Sequence, residues 1–341
     1  MPSPAKTYKK FVHREFSDEF YLFLVFLFIV VMAGIFVPRF FTFYNILSVV
    51  RQFSLITIVA IGGAVVLISG AFDLSVGAIA GMAGILAAHL MVTYSWPVWA
   101  SILLGVLVGV LAGVFNGLLV TKIKIQPLIT TLASSWIFKG VILITTQGWP
   151  VTKLPESFQA IGQGQTWRIP NPIIIMVVIG ILVSVFLSQT VYGRFLYALG
   201  GNERASRLAG LNVDRLRILA FVFSGALAAL AGILLAARMG SAQADGGASW
   251  PLPSIAAAVI GGVSLSGGKG KIYGVMLGAA LLGIINNILV LLHISSYWQD
   301  LISGFIVLVA VSIDSSRKHR ASLQKAAIIK KEEIVVQPAS R

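Results

Sequence analysis

Long apolar runs, each separated from the next by a short polar or basic stretch, organise this chain. They fall at Phe20–Val37, Ser54–Ser69, Leu74–Val92, Val98–Val120, Leu128–Thr146, Ile173–Ser188, Ile218–Ala237, Ser254–Val263, Ile272–Leu292 and Trp298–Ile313. Most approach the ~20 residues that carry a helix across hydrocarbon. Ser254–Val263 is too short. At ~1.5 Å per residue it spans about 15 Å, half of a bilayer core. It reads as a half-helix buried in protein or as one arm of a re-entrant hairpin. The pattern predicts an all-α polytopic membrane protein of about ten transmembrane segments, one of them a candidate half-helix.

The polar stretches divide the rest. Residues 1–19 form an N-terminal segment, 20–314 the transmembrane domain, and 315–341 a charged tail expected to be disordered. Two connections are long. Gln147–Pro172 is mostly polar and carries Pro150, Pro155 and Pro170. Gln189–Arg217 has the composition of a short amphipathic helix beside the membrane, with Leu196, Leu199, Leu208 and Leu211 among Arg194, Glu203, Arg204, Arg207 and Arg215.

Composition excludes whole classes. Hydrophobic residues make up 57% of the 341, and only 11% are charged. A soluble domain has about 25% charged residues and could not cover its surface with so few. There is no cysteine, so disulfides, thiolate metal sites and a cysteine nucleophile are out. The net charge of +14 would point to nucleic acid in a soluble protein. Here it follows from basic residues collecting on the cytoplasmic side, and no nucleic-acid partner is expected. With both termini inside, only Arg39, Arg51, Lys153, Arg168 and Arg238 lie outside, a bias of about four to one. No cleavable signal peptide is visible, and the first run reads as a retained span.

Glycine spacing says how the helices meet. Gly105, Gly109, Gly113 and Gly117 recur every four residues, as do Gly77 with Gly81 and Gly274 with Gly278. Such faces let backbones approach closely in lipid. A faint internal echo links GVFNGLLV at 113–120 with GIINNILV at 283–290. Repeated halves are common in transporters.

Enzyme signatures are missing. His13, His89, His293 and His319 are scattered, and GGVSLSGGKGK at 261–271 departs from the phosphate-binding pattern. That run reads as a tight glycine turn between short helices. Asp73 is the one charge between Ser54 and Thr93. A carboxylate there is a functional candidate by default. It also fits as the N-cap of a helix starting at Leu74, and the two readings are compatible. Ser75, Asn116, Thr130, Asn286 and Asn287 are further candidates for a polar solute pathway, or for bonds between helices. Lys139 is expected to snorkel outward in preference to pairing with Asp73. So few ionisable groups argue against a proton- or sodium-driven carrier.

Four ordered blocks carry a resemblance: GAFDLSVGAIAGMAG at 70–84, NGLLVTKIKIQPLITTLAS at 116–134, YALGGNERASRLAGLNVDRLRILAFVFSGALAALAGIL at 197–234, and AAAVIGGVSLSGGKGKIYGVMLGAALLGIINN at 256–287. Over roughly residues 40–314 the chain resembles the ribose-type sugar permeases of binding-protein-dependent ABC importers. The resemblance implies a bacterial inner-membrane subunit that catalyses no chemistry. It works with an ABC ATPase that holds ATP and Mg, an extracytoplasmic sugar-binding protein, and a second permease copy or paralogue. The chain itself is expected to bind no cofactor or metal. The resemblance also implies a cytoplasmic coupling helix within 191–216, with Glu203, Arg204, Ala205, Arg207 and Gly210 in the loop that docks on the ATPase. Arg204 stands where that family commonly has Ala. The implied cargo is a ribose-like pentose or a hexose. A gradient-driven carrier of a small polar solute, an uncoupled pore, and an ABC permease for a branched-chain amino acid or nucleoside remain the alternatives.

Overall fold

The computed structural model describes residues 4–295, the first of these to residue 19 as backbone, together with isolated positions between 298 and 312. Half of the run Trp298–Ile313 therefore falls outside the described residues, and the tail at 315–341 does so entirely. The described chain is helical: α1 (Pro4–Phe36), α2 (Phe43–Ile68), α3 (Val76–Thr93), α4 (Val98–Leu118), α5 (Pro127–Thr146), α6 (Glu156–Gln163), α7 (Asn171–Gln189), α8 (Val191–Gly201), α9 (Glu203–Leu208), α10 (Val213–Met239), α11 (Pro251–Ile260) and α12 (Ile272–Leu291). A π-helical turn, Leu119–Ile123, extends α4. A two-residue hairpin, β1 (Gln165–Thr166) with β2 (Ile169–Pro170), is the only sheet among the described residues. Seven helices (α2, α3, α4 with its π turn, α5, α7, α10 and α12) are long and apolar enough to cross a membrane. The protein is an all-α polytopic membrane protein.

Several boundaries differ from the sequence reading. α2 begins at Phe43, not Ser54, so Arg51 lies within a helix. Thr42 caps it by accepting from the Asn45 amide. α10 begins at Val213, where Asn212 accepts from the Arg215 amide. The long connection before it holds two helices, not one. They part at Asn202, whose side chain caps α9 through the Ala205 amide at 2.9 Å. The other long connection contains α6 and the hairpin. The short run near residue 254 is a half-helix: α11 is largely buried, and a loop of successive turns over 240–250 leads into it.

The small-residue faces pack as their spacing predicts. A Cβ on Gly109 or Gly113 of α4 would meet the carbonyls of Gly225 and Phe221 on α10. Gly77 and Gly81 face the backbone of the 244–247 loop, while Gly274 and Gly278 face α11. α10 is the central helix, against α2, α3 and α4. Its buried face is built of Ala220, Phe221, Ser224, Gly225, Ala228, Ala229 and Gly232. With no hydrophobic drive between helices in lipid, close backbone contact of this kind supplies the attraction.

One end of the bundle gathers the basic connections. The Gly268 amide donates to the Ile68 carbonyl at the end of α2, and the Tyr197 hydroxyl donates to the Gly270 carbonyl. Lys122 and Arg207 reach Asp214 at the start of α10. At the other end a bridge joins Val151 to Ala242, and Gln163 donates to the Arg238 carbonyl. The glycine run at 261–271 is a non-helical turn, with Gly262, Gly267, Gly268 and Gly270 at positive φ.

Candidate functional site

Two polar clusters join α4 to α10, at different depths. The deeper one is centred on Asp73, in the extended segment before α3. Its Oδ1 accepts from the Ser75 amide at 2.9 Å and the Ser75 hydroxyl at 2.6 Å. Its Oδ2 accepts from the Ser224 hydroxyl of α10 at 2.7 Å. Asn116 of α4 donates through Nδ2 to the Ser75 hydroxyl at 2.8 Å. Asp73, Ser75, Asn116 and Ser224 are all buried. α3 begins at Val76, not Leu74, so Asp73 is not the N-cap of a helix starting at Leu74. It closes a turn onto Ser75 and reaches across to α10. Its carboxylate bonds go to Ser75 and Ser224, and no ion pair joins it to half-buried Lys139 among the described residues.

Three of the six proposed pathway residues thus form one hydrogen-bonded rung, enclosed by helices. The other three lie elsewhere in the bonding pattern. Thr130 is buried and returns its hydroxyl to the Gln126 carbonyl of its own helix. Asn287 pairs reciprocally with Asn45 of α2, at 2.8 and 3.0 Å, as a bond between helices. Asn286 is half-buried on α12. The echo between 113–120 and 283–290 does not extend to these bonds: Asn116 matches Asn286, yet Asn287 makes the interhelical pair.

The second cluster lies at the basic end and is built of charges. Asp214 meets Lys122 of the π turn at 2.9 Å and Arg207 of α9 at 3.6 Å. Glu203 meets Arg207 at 3.1 Å and Arg217 of α10 at 2.9 Å. Burial pushes the Glu203 carboxyl up, but Arg207 and Arg217 outweigh it and hold the group below the usual carboxylate range. Arg204, Ala205 and Gly210 are exposed on the other side of this loop, Gly210 in the left-handed region at φ 82°. Leu196 and Leu199 of α8 are buried, whereas Leu208 of α9 is 83% exposed. Among the implied docking residues, Glu203 and Arg207 are ion-paired to the bundle, while Arg204, Ala205 and Gly210 are free to face a partner.

Sequence reasoning missed Ser224, Asn45, the Lys122–Asp214 pair and the outward turn of Leu208. No sequence signal set Ser224 apart. Mixed charge in NVDRLR was the signal for the third.

Seven helices long and apolar enough to cross a membrane, with a polar rung buried among them, define a polytopic helical membrane protein. From residue 45 to 311 the chain matches the family described as branched-chain amino acid transport system / permease component, and it belongs to that family. It is 43% identical over 291 residues to the ribose import permease protein RbsC of Bacillus subtilis, covering 85% of this chain and 90% of that one. It is 41% identical over 297 residues to the L-arabinose transport system permease protein AraH of Escherichia coli, covering 87% and 90%. The D-allose transport system permease protein AlsC of Escherichia coli is 33% identical over 313 residues, 92% and 96% of the two chains.

Proposed function

We propose that this chain is the membrane-spanning permease of an ATP-driven importer of a sugar, a pentose or hexose of the ribose, arabinose and allose kind. An extracytoplasmic binding protein delivers the sugar. A separate ABC ATPase, holding ATP and Mg, powers its passage, and a second permease copy or paralogue completes the pore. Both termini face the cytoplasm, where the basic connections gather. The family description speaks of branched-chain amino acids, but the relatives above, at 33–43% identity over most of their length, are sugar permeases, which supports the sugar reading.

The observation that carries the proposal is the form of α9. It is a six-residue helix ion-paired to α10 on one side, with Leu208, Arg204 and Ala205 bare on the other. This outer face, with exposed Leu208 one turn from Arg204, is what the chain offers a protein partner at the basic end. Passage follows alternating access. ATP binds one state of the assembly better than the other, and that difference drives the shift.

The test is gentle extraction from native membranes, capture of the chain, and identification of what accompanies it. An ABC ATPase in comparable amount is the expected result, with ATP hydrolysis stimulated by ribose, L-arabinose or D-allose when binding protein is present. Capture without an ATPase, even after crosslinking near Arg204, would remove the importer reading and leave a gradient-driven carrier.

A further inference from the structure

The charges at the base of the bundle alternate in sign through five residues: Lys122, Asp214, Arg207, Glu203 and Arg217. They come from three elements, the π turn after α4, the short α9, and α10. Each carboxylate is shared by two cations, one on each oxygen. Asp214 uses Oδ2 for Lys122 and Oδ1 for Arg207; Glu203 uses Oε1 for Arg207 and Oε2 for Arg217. Arg217 is mostly buried, with its side chain 15% exposed, which fixes one end of the chain of charges in the bundle.

α9 has little else to hold it. Six residues are too few for a helix to stand alone in water. Its other ties are the Asn202 cap, buried Ser206, and the Leu211 amide donating to the Ser206 carbonyl. A force on the outer face of α9 reaches the bundle along the backbone into α8, whose Leu196 and Leu199 are buried, and through side chains by Arg217 into α10 and by Arg207 and Asp214 to Lys122. Lys122 sits within the π turn, and Lys124 just beyond it is left-handed at φ 64°. Three residues after Lys124, α5 begins at Pro127. π turns recur where a helix must change course at a functional point.

We propose that this five-residue ladder is the mechanical link between the docking helix and the α4–α10 pair. On this reading Lys122, Asp214 and Arg217 are positioning residues for transport that do not themselves touch the ATPase. The inference rests on the importer reading above and adds to it a division of labour. Leu208 and Arg204 meet the partner; the ladder behind them carries the displacement inward.

The experiment measures two quantities on the assembled importer in proteoliposomes. One is the amount of ATPase retained by the permease. The other is the sugar moved per ATP hydrolysed, using whichever of ribose, L-arabinose or D-allose stimulates the wild type. Lys122→Met should retain the ATPase at wild-type amount while sugar per ATP falls about two- to fivefold, the scale of one exposed ion pair. Lys122→Arg, which restores the cation, should recover it. Arg217→Met and Arg217→Lys should repeat the pattern with a larger loss.

An unchanged ratio in both Lys122→Met and Arg217→Met would overturn the proposal. Loss of the ATPase itself in Lys122→Met would also overturn it, by making Lys122 a docking contact. Asp214→Asn, which keeps shape and removes charge, is the second variant. If neither Lys122→Met nor Asp214→Asn reaches the membrane folded, the ladder stabilises the fold and the proposal falls. A wild-type chain that retains no ATPase is a separate result, and it removes the importer reading instead.

Discussion

The Asp73 rung and the ion ladder clip the same two helices together with opposite physics. The rung is buried and draws on hydroxyl, amide and carboxylate groups with almost no water access. The ladder is built of full charges, and its outer member Lys122 is 62% exposed. Buried hydrogen bonds are costly to leave half-made, because the abandoned partner stays out of water. Exposed ion pairs exchange readily with water and salt and are worth little each. The deep joint therefore holds α3, α4 and α10 as one block. The shallow joint can loosen and re-form within a working cycle.

The largest expected effect lies at the backbone contact beside the rung. Gly113→Val places side-chain atoms against the Phe221 carbonyl. Overpacking of this kind costs about 1–3 kcal/mol or more, and the folded fraction in detergent should collapse on size-exclusion chromatography. Gly140→Val, where a Cβ meets nothing within 4 Å, is the control and should stay folded.

Next is the rung itself. Asp73→Ala strands the Ser75 and Ser224 hydroxyls but leaves no charge behind, and should lower stability by about 1–2 kcal/mol, read as a fall in thermal midpoint. Asp73→Asn keeps an acceptor for Ser75 and a donor for Ser224. It should lose less than half as much and still transport. Abolished transport in folded Asp73→Asn would make Asp73 a solute contact and reverse the comparison.

The ladder should barely register in stability. Lys122→Met should shift the midpoint by less than about 1 kcal/mol, and high salt should remove the difference. A loss as large as that of Asp73→Ala would erase the contrast.

Smallest is the effect of pH. The Glu203 carboxyl is held below its usual range, so its contribution is present above the unfolded value and is lost only as pH falls through the folded one. Between pH 8 and 6 the retention of α9 against protease should not change. A change within that window would assign the switch to another group.

How much of this was legible follows from which signals are local. Seven of the ten runs were legible as crossing helices because long apolar stretches are bounded by polar or charged residues, and α11 was legible because ten residues cannot cross. The glycine contacts were legible because a four-residue period admits one face. The start of α2 was hidden, since Asn45, Arg51 and Gln52 make Phe43–Phe53 look like a loop. Asp73 stood out by its charge, but its partner did not. Serines in membrane helices usually bond their own backbone, so nothing in the sequence separated Ser224 from Ser101, which does so. Leu208 was grouped with Leu196 and Leu199 because spacing alone cannot tell an inward leucine from an outward one once the helix breaks at Asn202.

The Asp73 rung also sets an order on how the chain is made. Synthesis runs from one end, and helices enter the membrane before they find one another. Ser75 is two residues from Asp73 and can satisfy Oδ1 at once. Asn116 follows 41 residues after Ser75. Ser224 comes 151 residues after Asp73, and until then Oδ2 has no partner from α10. For the time between, a carboxylate is parked in a half-built bundle. The emerging permease is therefore most exposed to recognition by membrane proteases after α4 has entered and before α10 arrives.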